Sequence, residues 1–291
     1  MIRVHVLPVD PRLQPATQPF QYPAHNDDYG VEQDMLRWLE ETPGVRAADA
    51  GSADWHYLPV FWTRWHLHHD YGNHGREELA ALAGAAVLDD ARTFTVCQND
   101  DGPLIDLGRA TLMLASRKGT EGIDVPLLSS AHRARPEFLV RRRWLASFVG
   151  RLATHPVRRE LADALEGRRD VRILDGDHGT RRFVNTTLAS HVALSPRGYG
   201  GSSFRFFEAA QLGRVPMLVG DLDTRPFPRS IDWSAASFYA ADGHAAAAVL
   251  DGLEPERLGA MGATARRVWS EDLTWGRWCR HALAELTAAE R

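Results

Sequence analysis

Within "ALSPRGYGGSSFRFFEAAQLGRVPMLVGD" (residues 193–221), Arg205 and Glu208 stand three residues apart in a stretch with helical apolar spacing. Gly198, Gly200 and Gly201 precede them, with hydroxyls at Ser202 and Ser203. A cation in a helix's first turn opposes the helix dipole, so Arg205 makes sense there where an anion is held. A guanidinium grips phosphate oxygens two at a time. Glycines let backbone amides approach such an anion, and a helix starting near Ser203 adds its positive end. Glu208, one turn on, suits the hydroxyls of a ribose. The segment therefore fits the diphosphate and ribose of a nucleotide-linked compound. A plain glycine-rich connector with a capping serine and a surface arginine has the same spacing.

Other side chains compete for attention. His25, in "PAHNDDYG", has the intrinsic pKa of a general base. "WHLHHDYGNHG" gathers His66, His68, His69, Asp70 and His74 in what reads as a loop. It allows a metal site, a mobile acceptor-binding loop or plain surface, but has no cysteine partner. "DGD" (175–177) and "DLD" (221–223) match the D-x-D of metal-dependent sugar transfer, a triplet that also arises by chance. Trp55, Trp62 and Trp65 offer faces for sugar rings, although a buried strand claims two of them. No metal and no cofactor is expected.

Such residues need elements to hold them. The 291 residues are enough for two domains, and 44% hydrophobic with 25% charged content is ordinary for a globular protein. A net charge of −4 gives no reason to expect nucleic acid as partner. Cys97 and Cys279 match neither a zinc site nor a disulfide framework, which suits a reducing cytosol. No apolar stretch approaches the ~18–20 residues of a membrane span, and the proline-broken N-terminal run does not suit a signal peptide. A soluble cytoplasmic protein of open oligomeric state is expected.

Strands are predicted at "IRVHVLP", "WHYLPVFW" (55–62), "TFTVCQ", "TLMLAS" and "GIDVPLL", with helices at "YGVEQDMLRWLEE" and 75–90. The texture turns basic and irregular at "SSAHRARPEFLVRRR", where a domain boundary is placed. Strands and helices then alternate through "WLASFVG", "HPVRRELADALEG", "VRIL", "VNTTLAS" and "SAASFYA", which indicates a parallel sheet covered on both faces. In such sheets ligands bind outside the carboxyl ends of the strands, where residues 196–205 fall. The expected domains are 1–135, 136–270 and a terminal helix at 271–291.

The opening segment resembles the signature of the exostosin family of glycosyltransferases (family 47). "LSPRG", "SFR", "FFEA", "LGRVPMLVGD" and "RPFPRSIDWSAASFY" follow the family's S-P-x-G, S-x-R, E-A, G-x-x-P-V-hydrophobic-D and P-F…D-W stretches in order. Upstream, "YGVEQDMLRWL", "GSADWHYLPVF", "TVCQNDDGP", "GIDVPLL" and "LASFVGRLATHPVRRELADAL" are similar to further family segments, so the resemblance spans roughly residues 25–245. Departures exist: "VALSP" replaces the family's cysteines, and "QNDDGP" lacks its histidine and tryptophan.

The resemblance implies an α/β fold of GT-B architecture, two Rossmann-like domains facing a central cleft. The N-terminal domain would bind the acceptor, a glycan or other hydroxyl compound, and the C-terminal domain the nucleotide-sugar donor, UDP-linked by family habit. Transfer would be inverting and metal-independent. Arg205 and Arg151 would stabilise the leaving diphosphate, helped by Gly198 and Ser203, with Ser195 and Arg197 shaping the loop and Glu208 holding the ribose. Asp100 would be the base, with Asp101 as fallback and His25 as rival. A non-catalytic exostosin-like partner of another transferase is the alternative, and a metal-dependent hydrolase built on the histidines is a third.

Overall fold

The computed structural model describes residues 2–21, 23, 25–27, 30–132 and 140–289. Contacts divide the chain into two compact units. The first comprises Met1–Tyr22, Asp27–Pro126 and Trp275–Arg291, and the second Pro23–Asn26 and Leu127–Thr274. The boundary expected at 135/136 lies outside the described residues.

In the first unit, β1 (Val4–Val6), α1 (Gly30–Glu41), β2 (Trp55–Tyr57), α2 (Trp62–His68), α3 (Arg76–Ala86), β3 (Thr93–Cys97), β4 (Thr111–Leu114) and β5 (Ile123–Asp124) follow one another. The five strands are all parallel and lie side by side in chain order. All five residues of β3 are buried, as a central strand covered on both faces requires. α1 buries Val31, Met35 and Leu39, one face at four-residue spacing.

The strand expected over 55–62 stops at Tyr57. Pro59 has no N–H to give a ladder, and Glu32 captures the start of the following helix: its carboxylate accepts from the Thr63 amide at 3.1 Å and the Thr63 hydroxyl at 2.8 Å. That satisfies an orphan donor of the first turn and starts α2. The histidine-rich stretch is therefore helix and turn, and three of its rings each meet a backbone carbonyl through one nitrogen. His66 Nε2 meets Pro103 O, His68 Nε2 meets Thr17 O, and His69 Nδ1 meets Trp65 O. Asp70 accepts from Asn73. Residues 62–68 are thus helix where a loop was expected. Trp55, Trp62 and Trp65 are at most 5% exposed and belong to the core, so none offers a face to a sugar.

The second unit runs β6 (Trp144–Gly150), α4 (Pro156–Ala164), β7 (Val171–Asp175), α5 (Gly179–Leu188), β8 (Ser190–Pro196), α6 (Phe204–Gln211), β9 (Val215–Val219), β10 (Phe238–Ala240), α7 (Gly243–Asp251) and α8 (Pro255–Val268). Its parallel sheet has the order β10-β9-β8-β6-β7. β6 shows the period of two: Ala146 and Phe148 pack with α4, α7 and α8 on one face, while Val149 joins Phe183, Val184 and Leu188 of α5 on the other. Close packing of α7 on α4 needs glycine at 243, where a Cβ would stand 2.5 Å from the Leu161 amide nitrogen. The last strand is shorter than "SAASFYA", because Asp232 caps a 3-10 turn at Trp233–Ala235 first. The chain ends in α9 (Arg277–Ala289), grouped with the first unit, where it packs on α1. Two α/β units on parallel sheets are the plan of the GT-B architecture. Among the described residues no helix is long and apolar enough to cross a membrane.

Candidate functional site

The chain leaves β6 through α4 to β7 on one side, then returns through α5 to β8 on the other side of β6. Strand order therefore reverses between β6 and β8, and sheets of this kind take ligands in the crevice outside the carboxyl ends of the strands at such a reversal. Arg158 of α4 spans it. Its Nε donates to Arg197 O at 2.8 Å and its Nη1 to Arg151 O at 3.0 Å, with the guanidinium 5.6 Å from the Phe148 ring. One side chain thus ties together the two strand ends.

Arg205 enters the same place from the first turn of α6, whose N-cap is Ser203. It donates from Nε to Val149 O at 3.1 Å and from Nη1 to Glu208 Oε2 at 2.7 Å, and it stacks over Phe183 at 4.4 Å. Its side chain is 28% exposed, and Nη2 has no hydrogen-bond partner among the described residues. Glu208 is almost wholly buried. Its other oxygen, Oε1, accepts from His132 Nε2 at 2.9 Å and lies 3.2 Å from His25 Nε2. Burial works to raise the Glu208 pKa, but Arg205 and the hydrogen bonds from His132 and His25 outweigh it and hold the carboxylate well below its usual range.

Of the expected donor-site residues, the structure gathers Arg205 and Glu208, and His25, expected as a rival base from the N-terminal domain, joins them in the second unit. Glu208 has both oxygens engaged by protein groups. Ser195 is fully buried, with its hydroxyl donated to Ala193 O, so it offers nothing to a phosphate. The Gly198 amide is bound to Ser202 O. Arg197, only 7% exposed, gives its guanidinium to Gly200 O and to Asp221, so it shapes the loop from within. Gly220 permits this, since a Cβ there would press on the Arg197 side chain at 3.0 Å. Arg151 is an exposed cation at the end of β6, with Asp177 3.9 Å away. Both D-x-D triplets are occupied: Asp175 accepts from the Leu152 amide, Asp177 from the Gly179 amide, Asp221 pairs with Arg197 and Asp223 with Arg225.

In the first unit Asp100 lies in the turn after β3, which Asn99 and Gly102 close with two mutual hydrogen bonds. Asp101 pairs with Lys118.

His132 escaped notice in the sequence, since it lies in an irregular basic stretch far from Glu208. Its ring stacks on His25 with centroids 4.0 Å apart and planes 27° apart, and sits 5.3 Å from Phe183. Its backbone is clasped by Gln211, which accepts from the His132 amide and donates to its carbonyl, each at 3.1 Å. Asn26 accepts from the amide and hydroxyl of Ser130 beside it. Among the described residues, His25, His132 and Glu208 are the one group whose metal-ligating atoms lie within 4.8 Å of one another. The fit to a cation is poor. Both histidine Nε2 atoms already meet Glu208 Oε1, and Arg205 holds the carboxylate's other oxygen, so the three side chains satisfy one another without an ion.

Comparison with known proteins points one way. A family model described as the Exostosin GT47 domain matches residues 1–249. Exostosin-1 of Drosophila melanogaster is 29% identical over 126 residues, covering 35% of this chain and 17% of that protein. The Exostosin-1 homolog of Caenorhabditis elegans is 38% identical over 69 residues, covering 23% of this chain and 18% of that one. The chain thus spans less than a fifth of the length of these curated relatives. Among solved structures, AviGT4, a glycosyltransferase involved in avilamycin A biosynthesis, is similar with a TM-score of 0.43 and 13% identity over 98% of this chain and 96% of that one. TarM is similar with a TM-score of 0.41 and 8% identity over 72% and 57%.

Proposed function

The chain belongs to the exostosin family of glycosyltransferases, and from that premise we propose that it transfers a sugar from a nucleoside-diphosphate donor to a hydroxyl acceptor, with the diphosphate held at Arg205. One observation carries the reading. Arg205 stands where strand order reverses between β6 and β8, anchored by Val149 O and Glu208, with Nη2 unpaired and its side chain partly exposed. A fixed cation at such a crevice stabilises charge as it develops on a departing diphosphate. Arg151, exposed at the neighbouring strand end, adds a second positive charge.

UDP is the donor nucleotide by family habit, a glycan or other hydroxyl compound is the acceptor, and transfer inverts the anomeric centre. Two cations and a helix N-terminus do the electrostatic work, so no metal is assigned to it. Asp100 is the first candidate to take the acceptor proton and His25 the second. Two free, buried thiols, Cys97 and Cys279, suit a reducing cytoplasm.

Thermal unfolding against a panel of nucleoside diphosphates and nucleotide-sugars, without added metal, tests the reading. A ligand that binds only the folded state raises the melting temperature. One nucleotide is expected to stabilise the wild type and to lose its effect in Arg205→Ala. No stabilisation of the wild type at millimolar concentration would overturn the proposal.

A further inference from the structure

Arg205 carries the proposed donor contact, yet it does not position itself. It sits at the positive end of α6, where a cation is disfavoured, and its counter-ion is Glu208 of the same helix. Glu208 is buried, so it keeps its place and its charge only while its second oxygen is also satisfied. His132 makes the shorter contact to that oxygen, at 2.9 Å, with His25 Nε2 3.2 Å away. Its Nδ1 is buried and without a partner among the described residues. A buried N–H without a partner is costly, so the proton belongs on Nε2, where it is donated to Glu208. His132 is itself fixed three times over: by Gln211 on both backbone groups, by stacking on His25, and by a tilted contact with Phe183, the ring that also carries Arg205.

We propose that His132 is a positioning residue for the donor diphosphate, acting through Glu208 to hold the Arg205 guanidinium in its binding pose, with His25 closing the stack from outside. Glu208 is on this account the anchor of Arg205 rather than a ribose ligand, and residues 25–26 and 129–132 form part of the donor site although they are remote from it in sequence. The inference rests on the donor-binding reading above.

The test is titration of UDP, ADP, GDP, CDP and dTDP into the purified protein, its His132→Phe and His132→Gln variants, and Gln211→Ala. Phenylalanine keeps the ring contacts with His25 and Phe183 but donates nothing. The glutamine side-chain amide can reach the position of Nε2 and donate to Glu208. If positioning is the role, Kd for the bound nucleotide rises about tenfold in His132→Phe and stays within about twofold of wild type in His132→Gln. Gln211→Ala, which loosens the His132 backbone without touching a charge, should weaken binding in the same direction and serves if His132→Phe does not fold. A merely structural role gives the opposite ranking, with phenylalanine tolerated and glutamine not.

Wild-type binding that is unchanged in folded His132→Phe and Gln211→Ala would overturn this inference and leave the donor site standing. Absence of binding by the wild type would remove both. Retention of one zinc ion per chain, lost in His132→Phe, would also overturn it, by assigning the cluster to a metal.

Discussion

At the scale of residues, two buried glutamates show how context sets the state of the same side chain. Glu208 is held ionised by Arg205 and two histidines. Glu32 of α1 has hydrogen bonds from Thr63 and from the Gln98 amide at 2.9 Å, but burial outweighs them and pushes its pKa from 4.5 up to about 7. The folded protein then binds this proton more tightly than the unfolded chain. Stability contributed by Glu32 is greatest below pH 4.5, declines as pH rises, and is flat above pH 7. At about 1.4 kcal/mol per pH unit the whole decline is ~3 kcal/mol. Urea unfolding at pH 5 and pH 7.5 should show that Glu32→Gln lacks the part of the decline that the wild type has. Equal slopes in the two proteins would exclude the assignment. The residue joins α1 and α2 to Gln98, where the turn bearing Asp100 begins.

At the scale of elements, the carboxyl ends of β6 and β8 are aligned by a single arginine of α4. Replacing Arg158 with methionine keeps the stem against Phe148 but leaves the carbonyls of Arg151 and Arg197 without these donors. A loss of about 1–3 kcal/mol is expected in urea unfolding, together with weaker binding of the nucleoside diphosphate. Lower stability with unchanged affinity would mean that the crevice does not depend on this tie. Elements with strong periodicity, such as α1, α4 and β6, were legible as patterns in the sequence. The stretch from 55 to 75 was not. Its aromatic residues read as strand and its histidines as loop, because the helix start depends on Glu32, some thirty residues upstream and contributed by another element.

For the whole molecule, binding energy must appear as protection of particular amides. At a hundredfold excess over Kd, a nucleoside diphosphate should stabilise the folded state by about 2.7 kcal/mol. Hydrogen exchange is expected to slow at the carboxyl ends of β6 and β8 and in the first turn of α6, with the amino ends of those strands unchanged. Protection confined to the turn after β3 would place the nucleotide in the first unit and contradict the assignment. Two parallel sheets, each with its own core, allow such regional readouts.

The amino-acid sequence by itself determined the class of fold and the family. Apolar periodicity and the order of glycine, serine, arginine and glutamate in residues 193–221 are local, and local patterns survive in one dimension. Tertiary structure alone decided which donors and acceptors are already spent. It turned Glu208 inward, gave Arg197 to its own loop and Asp221, buried Ser195, and brought His25 and His132 to one carboxylate across 76 residues of chain between His132 and Glu208. The physical reason is that a buried charge must find partners wherever the fold supplies them. Those partners come from elements whose adjacency is created only by packing.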